Sequence, residues 1–250
     1  MTERSPERAL PDWFAGPVAE RYDSSLGEWG GPDAVGATVE LLAELARGGA
    51  ALEFGIGTGR IALPLAARGV RVHGIDLSAD MVAQLRAKPG GDEIGVTLGD
   101  FATTSVDDTF ALVYVVFNTI NNLTTQDAQV ACFENASAHL EPGGCFVVEV
   151  GVPSGEALRV FDLDETHVGI DEYDRASQRL VSHHFSLVGT GWERRSIPFR
   201  SVSPAELDLM ARIAGLRLRQ RWGGWKREPF TTESPRHVTV WEKGNGVRGG

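Results

Sequence analysis

The chain has 250 residues, with 24 lysines and arginines against 34 aspartates and glutamates, and a formal net charge of −10. That length suits one large α/β domain or two small ones and allows a substantial core, while the acidic balance leaves no general basic field for a nucleic-acid backbone. No apolar run approaches a membrane span, the first eight residues lack a signal-peptide core, and Cys132 and Cys145 lie in apolar patterns without metal-ligand spacing, so a cytoplasmic enzyme with reduced thiols and no metal site is expected.

The first ten residues are charged, contain proline and have nothing to bury, which reads as disorder. Trp13, Phe14, Val18, Tyr22 and Trp29 then appear among glycines and prolines, and residues 1–32 are expected to fold over a ligand pocket. Val35, Val39, Leu42 and Leu45 recur at helical spacing until Gly48-Gly49 stops the helix. An apolar run from Ala50 to Phe54 empties into Gly55, Gly57 and Gly59 and then into a helical pattern reaching Gly69, with Pro64 in its early turns or at a kink. A second strand ends at Asp76, Ser78 caps a helix to about Lys88, and a third strand, Ile94 to Leu98, runs into Gly99-Asp100-Phe101. Phe110 to Phe117 is apolar on both faces, as a buried parallel strand is, and ends at Asn118. Thr125 caps a helix whose Val130, Phe133, Ser137 and Leu140 share a face, and Glu141-Pro142-Gly143-Gly144 turns it into the strand Cys145 to Val150.

From Gly151 to Ser203 there is no long helical pattern. Val168 to Glu172, Gln178 to Val188 and Trp192 to Arg200 read as extended segments. Ser203-Pro204-Ala205-Glu206 combines an N-cap, a proline at the first helical position and a capping-box glutamate, ahead of Leu207, Met210, Ala211 and Ala214. Leu216 to Trp222 alternates as a strand, and His237 to Glu242 supplies the last one.

Three features with chemical meaning fall at the ends of three successive strands, where open α/β sheets bind ligands. Alternating glycines let a strand reverse into a helix while its backbone approaches a ligand that a Cβ would block. The dinucleotide fingerprint requires glycine where this chain has Arg60. Glu53-x-Gly55-x-Gly57-x-Gly59 instead resembles the first motif of the class I S-adenosylmethionine (SAM) dependent methyltransferases, whose cofactor has no pyrophosphate. Asp76 stands where an adenosine ribose needs a carboxylate, and Leu77-Ser78-Ala79-Asp80-Met81 is similar to the family stretch whose Leu77 and Met81 positions sandwich the adenine.

The resemblance implies further roles. Asp100 would accept from the adenine amino group, with Gly99 and Phe101 beside it; Asn118 would lie near the reactive sulfonium; Arg21-Tyr22-Asp23 is similar to an amino-terminal stretch that places its tyrosine near the methionine end of the cofactor. The implied fold is a doubly wound α/β sheet of seven strands ordered 3-2-1-4-5-7-6, mixed because its last strand is antiparallel, with an antiparallel β insert after strand 5. Residues 33–243 would form one SAM-binding domain, 151–202 its substrate-side insert and 244–250 a tail, in the manner of sugar N-methyltransferases and related tailoring enzymes.

Methyl transfer from a sulfonium needs no protonated leaving group, so a catalytic base is optional. Glu149, His183 and His184 are the candidates, and alternation along a strand lets only one of the two histidines face a pocket. Two functions follow from the resemblance: SAM-dependent methylation of a small molecule at N, O or C with release of S-adenosylhomocysteine, or binding of SAM or that product by a non-catalytic regulator.

Overall fold

A computed structural model describes residues 11–27 and 31–245. The expected disorder of the first ten residues, the placement of Trp29 and the last five residues of the tail therefore lie outside the described residues.

Helices α1 (Pro17–Ser25) and α2 (Pro32–Ala46) precede β1 (Ala51–Phe54), α3 (Ala62–Ala66), β2 (Val72–Asp76), α4 (Ala79–Arg86), β3 (Gly95–Leu98) and β4 (Phe110–Val115). Then come α5 (Gln126–His139), β5 (Leu140–Gly151), four strands β6 (Leu158–Leu163), β7 (His167–Asp174), β8 (Arg179–Val188) and β9 (Gly191–Arg200), and finally α6 (Pro204–Ile213), β10 (Leu216–Trp222) and β11 (Arg236–Lys243). The large sheet runs β10-β11-β5-β4-β1-β2-β3. Its inner pairs are parallel, and β11 lies antiparallel to both β5 and β10. This is the order 3-2-1-4-5-7-6. The segment after β5 forms a separate antiparallel sheet, β6-β7-β8-β9.

Side chains alternate across a strand, so an apolar run feeds two cores at once. Leu52, Phe54, Val113, Val115, Phe146 and Val148 join Phe133 of α5 and Leu207 of α6 on one face. Ala51, Leu112, Tyr114, Cys145 and Val147 meet Leu42 of α2 and Leu65 of α3 on the other. Helices on both faces leave only the strand ends open for a ligand.

Several sequence expectations are corrected. The glycine-loop helix is short, Ala62–Ala66, with Pro64 in its first turn, where a missing N–H costs nothing. The inward face of α5 is Gln129, Cys132, Phe133, Ala136 and His139, one position away from the expected Val130 and Ser137. The polar members turn inward because they serve buried backbone: Gln129 Nε2 donates to the carbonyls of Ile120 and Arg200, and His139 Nε2 accepts from Val106 N. Leu140 is not helical but opens β5 opposite Phe110. Ser203 caps α6 as expected, accepting from Glu206 N at 3.2 Å. The Glu206 carboxylate does not complete a capping box, however, because Arg200, Gln178 and Gln126 all donate to it. Two elements were not foreseen, the helix α1 and the strand β6.

Candidate active site

A cavity of about 300 Å³ opens at the carboxyl ends of β1, β2 and β4. Gly55, Gly57, Asp76, Leu77, Met81, Asp100 and Phe101 line it, together with Glu53 and Tyr22. Nine of the twelve expected cofactor residues thus meet around one space.

The local chemistry explains the arrangement. Gly57 adopts φ +53°, and a Cβ there would stand 3.1 Å from Met81 Cε. Its N–H donates to Asp76 Oδ2 at 2.6 Å, while Ser78 N donates to Oδ1 at 2.8 Å. Burial raises the pKa of Asp76 and these backbone donors pull it back. Asp100 Oδ1 accepts from Ala102 N at 2.9 Å, forming a local turn at the end of β3. Phe101 stacks on Phe54 with ring centroids 5.7 Å apart. The third loop glycine does different work: a Cβ on Gly59, at φ +76°, would lie 2.3 Å from Leu85 Cδ1, so this position lets α4 close on the loop instead of lining the cavity. Gly99 is likewise covered, by the Thr104 side chain.

Glu53 is fully enclosed. Its Oε2 accepts from the Tyr114 hydroxyl at 2.9 Å, and burial outweighs that bond to push its pKa up to about 8. Helix α1 closes the opposite side. Asp23 pairs with Lys88 Nζ at 2.5 Å and accepts from Thr58 Oγ1 at 2.6 Å, and Gly16 N donates to Asp80 Oδ2 at 2.6 Å. These bonds tie α1 to the glycine loop and to α4, and bring Tyr22 over the cavity. Burial raises the Tyr22 pKa, with Arg60 opposing.

Asn118 and Glu149 take structural parts here. Phe117 and Asn118 both have positive φ, 58° and 61°, a conformation that asparagine tolerates and that is costly for phenylalanine. Glu149 holds the turn, its Oε2 accepting from Phe117 N at 2.9 Å and its carbonyl from Asn118 N at 3.3 Å. The Asn118 amide oxygen accepts from Gly151 N at 2.6 Å. The turn aims the Phe117 ring into the cavity, where the Arg60 guanidinium lies 4.6 Å from its centroid. Neither Asn118 nor Glu149 is among the lining residues. His184 is also elsewhere, on the insert, between His167 at 3.2 Å and Ser182 at 3.3 Å. His183 faces the other side of β8, toward Ser196 and Glu172.

Arg60, Phe117 and Asn122 line the cavity without having been foreseen. The signal for Arg60 was its occupation of the dinucleotide fingerprint's glycine position. Asn122 carried none, since only the 3-10 turn Thr119–Asn122 brings it round. Among the described residues, no group of three His, Cys, Asp or Glu side chains could hold a metal ion.

The strand order, the glycine loop and acids at two strand ends define a doubly wound nucleoside-cofactor fold. Residues 51–144 match the family described as "Methyltransferase domain". The chain is 35% identical to the CcbJ methyltransferase from Streptomyces caelestis, covering 91% of this chain and 96% of that one with a TM-score of 0.82. It is 29% identical over 201 residues to a cypemycin N-terminal methyltransferase from a Streptomyces species, 77% of this chain and 82% of that protein. SAM-bound CalS10, an amino pentose methyltransferase from Micromonospora echinaspora, shares the fold at 21% identity and a TM-score of 0.67, over 94% and 99% of the two chains. The chain belongs to the SAM-dependent methyltransferases and is an enzyme of that class.

The cavity fits the cofactor. SAM carries a sulfonium and an ammonium, and the ionisable walls are Asp12, Glu53, Asp76 and Asp100 against the single base Arg60. The Asn122 amide oxygen, buried with no hydrogen-bond partner, adds an acceptor. Unpaired buried acceptors are rare, and a ligand with N–H donors satisfies one.

Proposed function

We propose that this enzyme transfers the SAM methyl group to an amine nitrogen of a small molecule held between α1 and the insert sheet. The observation that carries this reading is Pro198 of β9, which lines the same cavity as Asp76 and Gly57. The insert thus contributes a wall to the cofactor chamber. Residues 33–243 act as one methyltransferase domain, with 151–202 on the acceptor side and 11–27 as the cover. In this reading Asp76 accepts from the ribose hydroxyls and Asp100 from the adenine amino group, with Leu77, Met81 and Phe101 around the base. Gly55 and Gly57 let the backbone approach, while Glu53, Asn122 and Tyr22 attend the methionine end.

SAM supplies an electrophilic methyl on a sulfonium. The chain's own task is alignment: holding an acceptor nitrogen in line with that methyl is worth several kcal/mol or more as entropy already lost on binding. Phe117 and Tyr22 exclude water, and the Glu149-braced turn fixes the Phe117 ring. An amine needs only to enter neutral, its proton passing to water, so no side chain has to act as a base. Two similar proteins support nitrogen as the acceptor, the cypemycin N-terminal methyltransferase and a sugar N,N-dimethyltransferase from Streptomyces fradiae, 31% identical over 140 residues. The net charge of −10 favours small acceptors over nucleic acid. Buried free Cys132 and Cys145 suit a reducing cytoplasm, and no helix among the described residues is long and apolar enough to cross a membrane.

The test is transfer of labelled methyl from SAM to matched panels of small amines, alcohols and phenols. Label on amines, with equimolar S-adenosylhomocysteine, is expected. Label confined to the alcohols or phenols would refute the nitrogen assignment.

A further inference from the structure

The insert ends in an unprotected edge. Strand β6 pairs with β7 and is the outermost strand of its sheet. All six of its residues are exposed, with Leu158 at 64%, Val160 at 54% and Leu163 at 73%. An edge strand offers a row of unpaired N–H and C=O groups, which folded proteins blunt with charge, proline or lysine. The outer strand β10 of the large sheet does so, with Arg217, Arg219 and Arg221 at every second position. By contrast β6, Leu158-Arg159-Val160-Phe161-Asp162-Leu163, has neither lysine nor proline and is mostly apolar.

Its pattern is self-complementary along the ladder. Leu158 pairs with Glu172, Arg159 with Asp171 and Val160 with Ile170; the register then shifts, and Asp162 pairs with Gly169 and Leu163 with Val168. Phe161 is thus the extra residue of a bulge. Its ring lies over Gly169, where a Cβ would stand 2.4 Å from it, and meets the His184 ring edge-on at 5.5 Å. The ladder positions that remain are Leu158, Arg159, Val160, Asp162 and Leu163. Alternation puts Leu158, Val160 and Leu163 on one face and Arg159 and Asp162 on the other. A two-fold axis through Val160 therefore sets leucine against leucine, valine against valine and arginine against aspartate, each pair sharing a face. Without the bulge Leu158 and Leu163 would lie on opposite faces, and no two-fold would pair them.

We propose that β6 pairs antiparallel with β6 of a second copy of this chain, so that two four-stranded inserts become one continuous sheet. The edge N–H and C=O groups of each copy then bond across the axis. Arg159 meets Asp162 of the other copy twice. Asp162 accepts from His167 Nδ1 at 2.8 Å and keeps a second oxygen for the guanidinium. On the other face Leu158, Val160 and Leu163 extend the strip of Val168 and Ile170 across the axis. The register is selected by charge: moving the axis by one ladder position sets Arg159 or Asp162 against itself, and like charges directly opposite are unfavourable. Two strands separate β6 from β9 and its chamber residue Pro198, so the contact leaves the reaction site open.

The experiment is sedimentation equilibrium of the full chain at concentrations up to about 100 μM, enough to fill an interface of micromolar affinity, with circular dichroism to confirm that each variant folds. The wild type is expected at twice the chain mass of 27.0 kDa. Val160→Lys, which places two ammonium groups on the axis, is expected at one chain mass. Arg159→Asp and Asp162→Arg each set like charges across the ladder, and each alone is expected to be monomeric. Mixed together they are expected to form a dimer, because one copy then carries both acids and the other both arginines. A wild type of one chain mass throughout, a dimer that persists in Val160→Lys, or no assembly from the mixed charge variants would overturn the proposal.

Discussion

In the seven-stranded sheet all four residues of β1 are buried, whereas in the insert all six residues of β6 are exposed. The first sheet is packed on two faces by helices and ends in a chamber whose ionisable walls are mostly acidic. The second has nothing buried on its outer strand β6 and meets the chamber at Pro198 of β9. One sheet is a rigid floor for a positively charged cofactor, and its precision comes from close packing around glycine. The other, in the function proposed above, is a wall for the acceptor.

The sharpest break of that contrast lies where the two sheets are joined. Arg200, at the end of β9, is buried and donates to Glu206 at 2.6 Å, Gln129 at 2.5 Å and Gln178 at 2.6 Å, tying the insert to α5 and α6. Replacing Glu206 by leucine leaves this guanidinium without its carboxylate, and a loss of about 3–5 kcal/mol is expected in denaturant unfolding. A change below about 1 kcal/mol would mean that the insert is held by its apolar contacts alone. Arg195, also on β9, has a buried Nη1 without a hydrogen-bond partner, and Arg195→Met is expected to give no such loss.

A smaller effect sharpens the electrostatic half. Glu53 has a folded pKa of about 8, raised above its ordinary 4.5 mainly by burial. The folded state then holds a proton that the unfolded chain releases near 4.5. This contribution to stability is fully present below about pH 4.5 and is lost as pH rises through about 8, at up to about 1.4 kcal/mol per pH unit. Binding a cationic cofactor favours the carboxylate, so titrations near pH 7 in buffers of different ionisation enthalpy are expected to show proton release. In Glu53→Gln the release and the Glu53 share of the slope should vanish; an unchanged pH slope in that variant would assign it to another group.

The same contrast explains what was legible beforehand. Glu53, Gly55, Gly57, Asp76 and Asp100 could be found because buried parallel strands are continuous apolar runs, and the chemistry begins where each run stops. The position of β6 could not, because Leu158–Leu163 is exposed throughout and shows no alternation of burial. The face of α5 was misplaced because Gln129 and His139 turn inward to serve distant carbonyl and N–H groups, contacts that no local periodicity encodes. Glu206 looked like half of a capping box, while its partners Arg200 and Gln178 lie on a strand and in a turn of the other sheet. Asn118 and Glu149 stood at the right strand ends, and the positive φ of Phe117 and Asn118 turned them to bracing the loop. Arg195 is one of two adjacent arginines in an exposed-looking strand, distinguished only by what surrounds it in three dimensions.

The central claim, that the glycine-loop chamber is a SAM site closed by Asp76, is tested most directly by calorimetric titration of wild type and Asp76→Ala with SAM, S-adenosylhomocysteine and NADH, after any copurified ligand has been removed. The account predicts micromolar binding of the first two to wild type and none of NADH. It also predicts affinity at least about tenfold weaker in the variant, since each bond to a charged group is worth about 1.5–3 kcal/mol. Equal affinity in Asp76→Ala, or no SAM binding by the wild type, would contradict it.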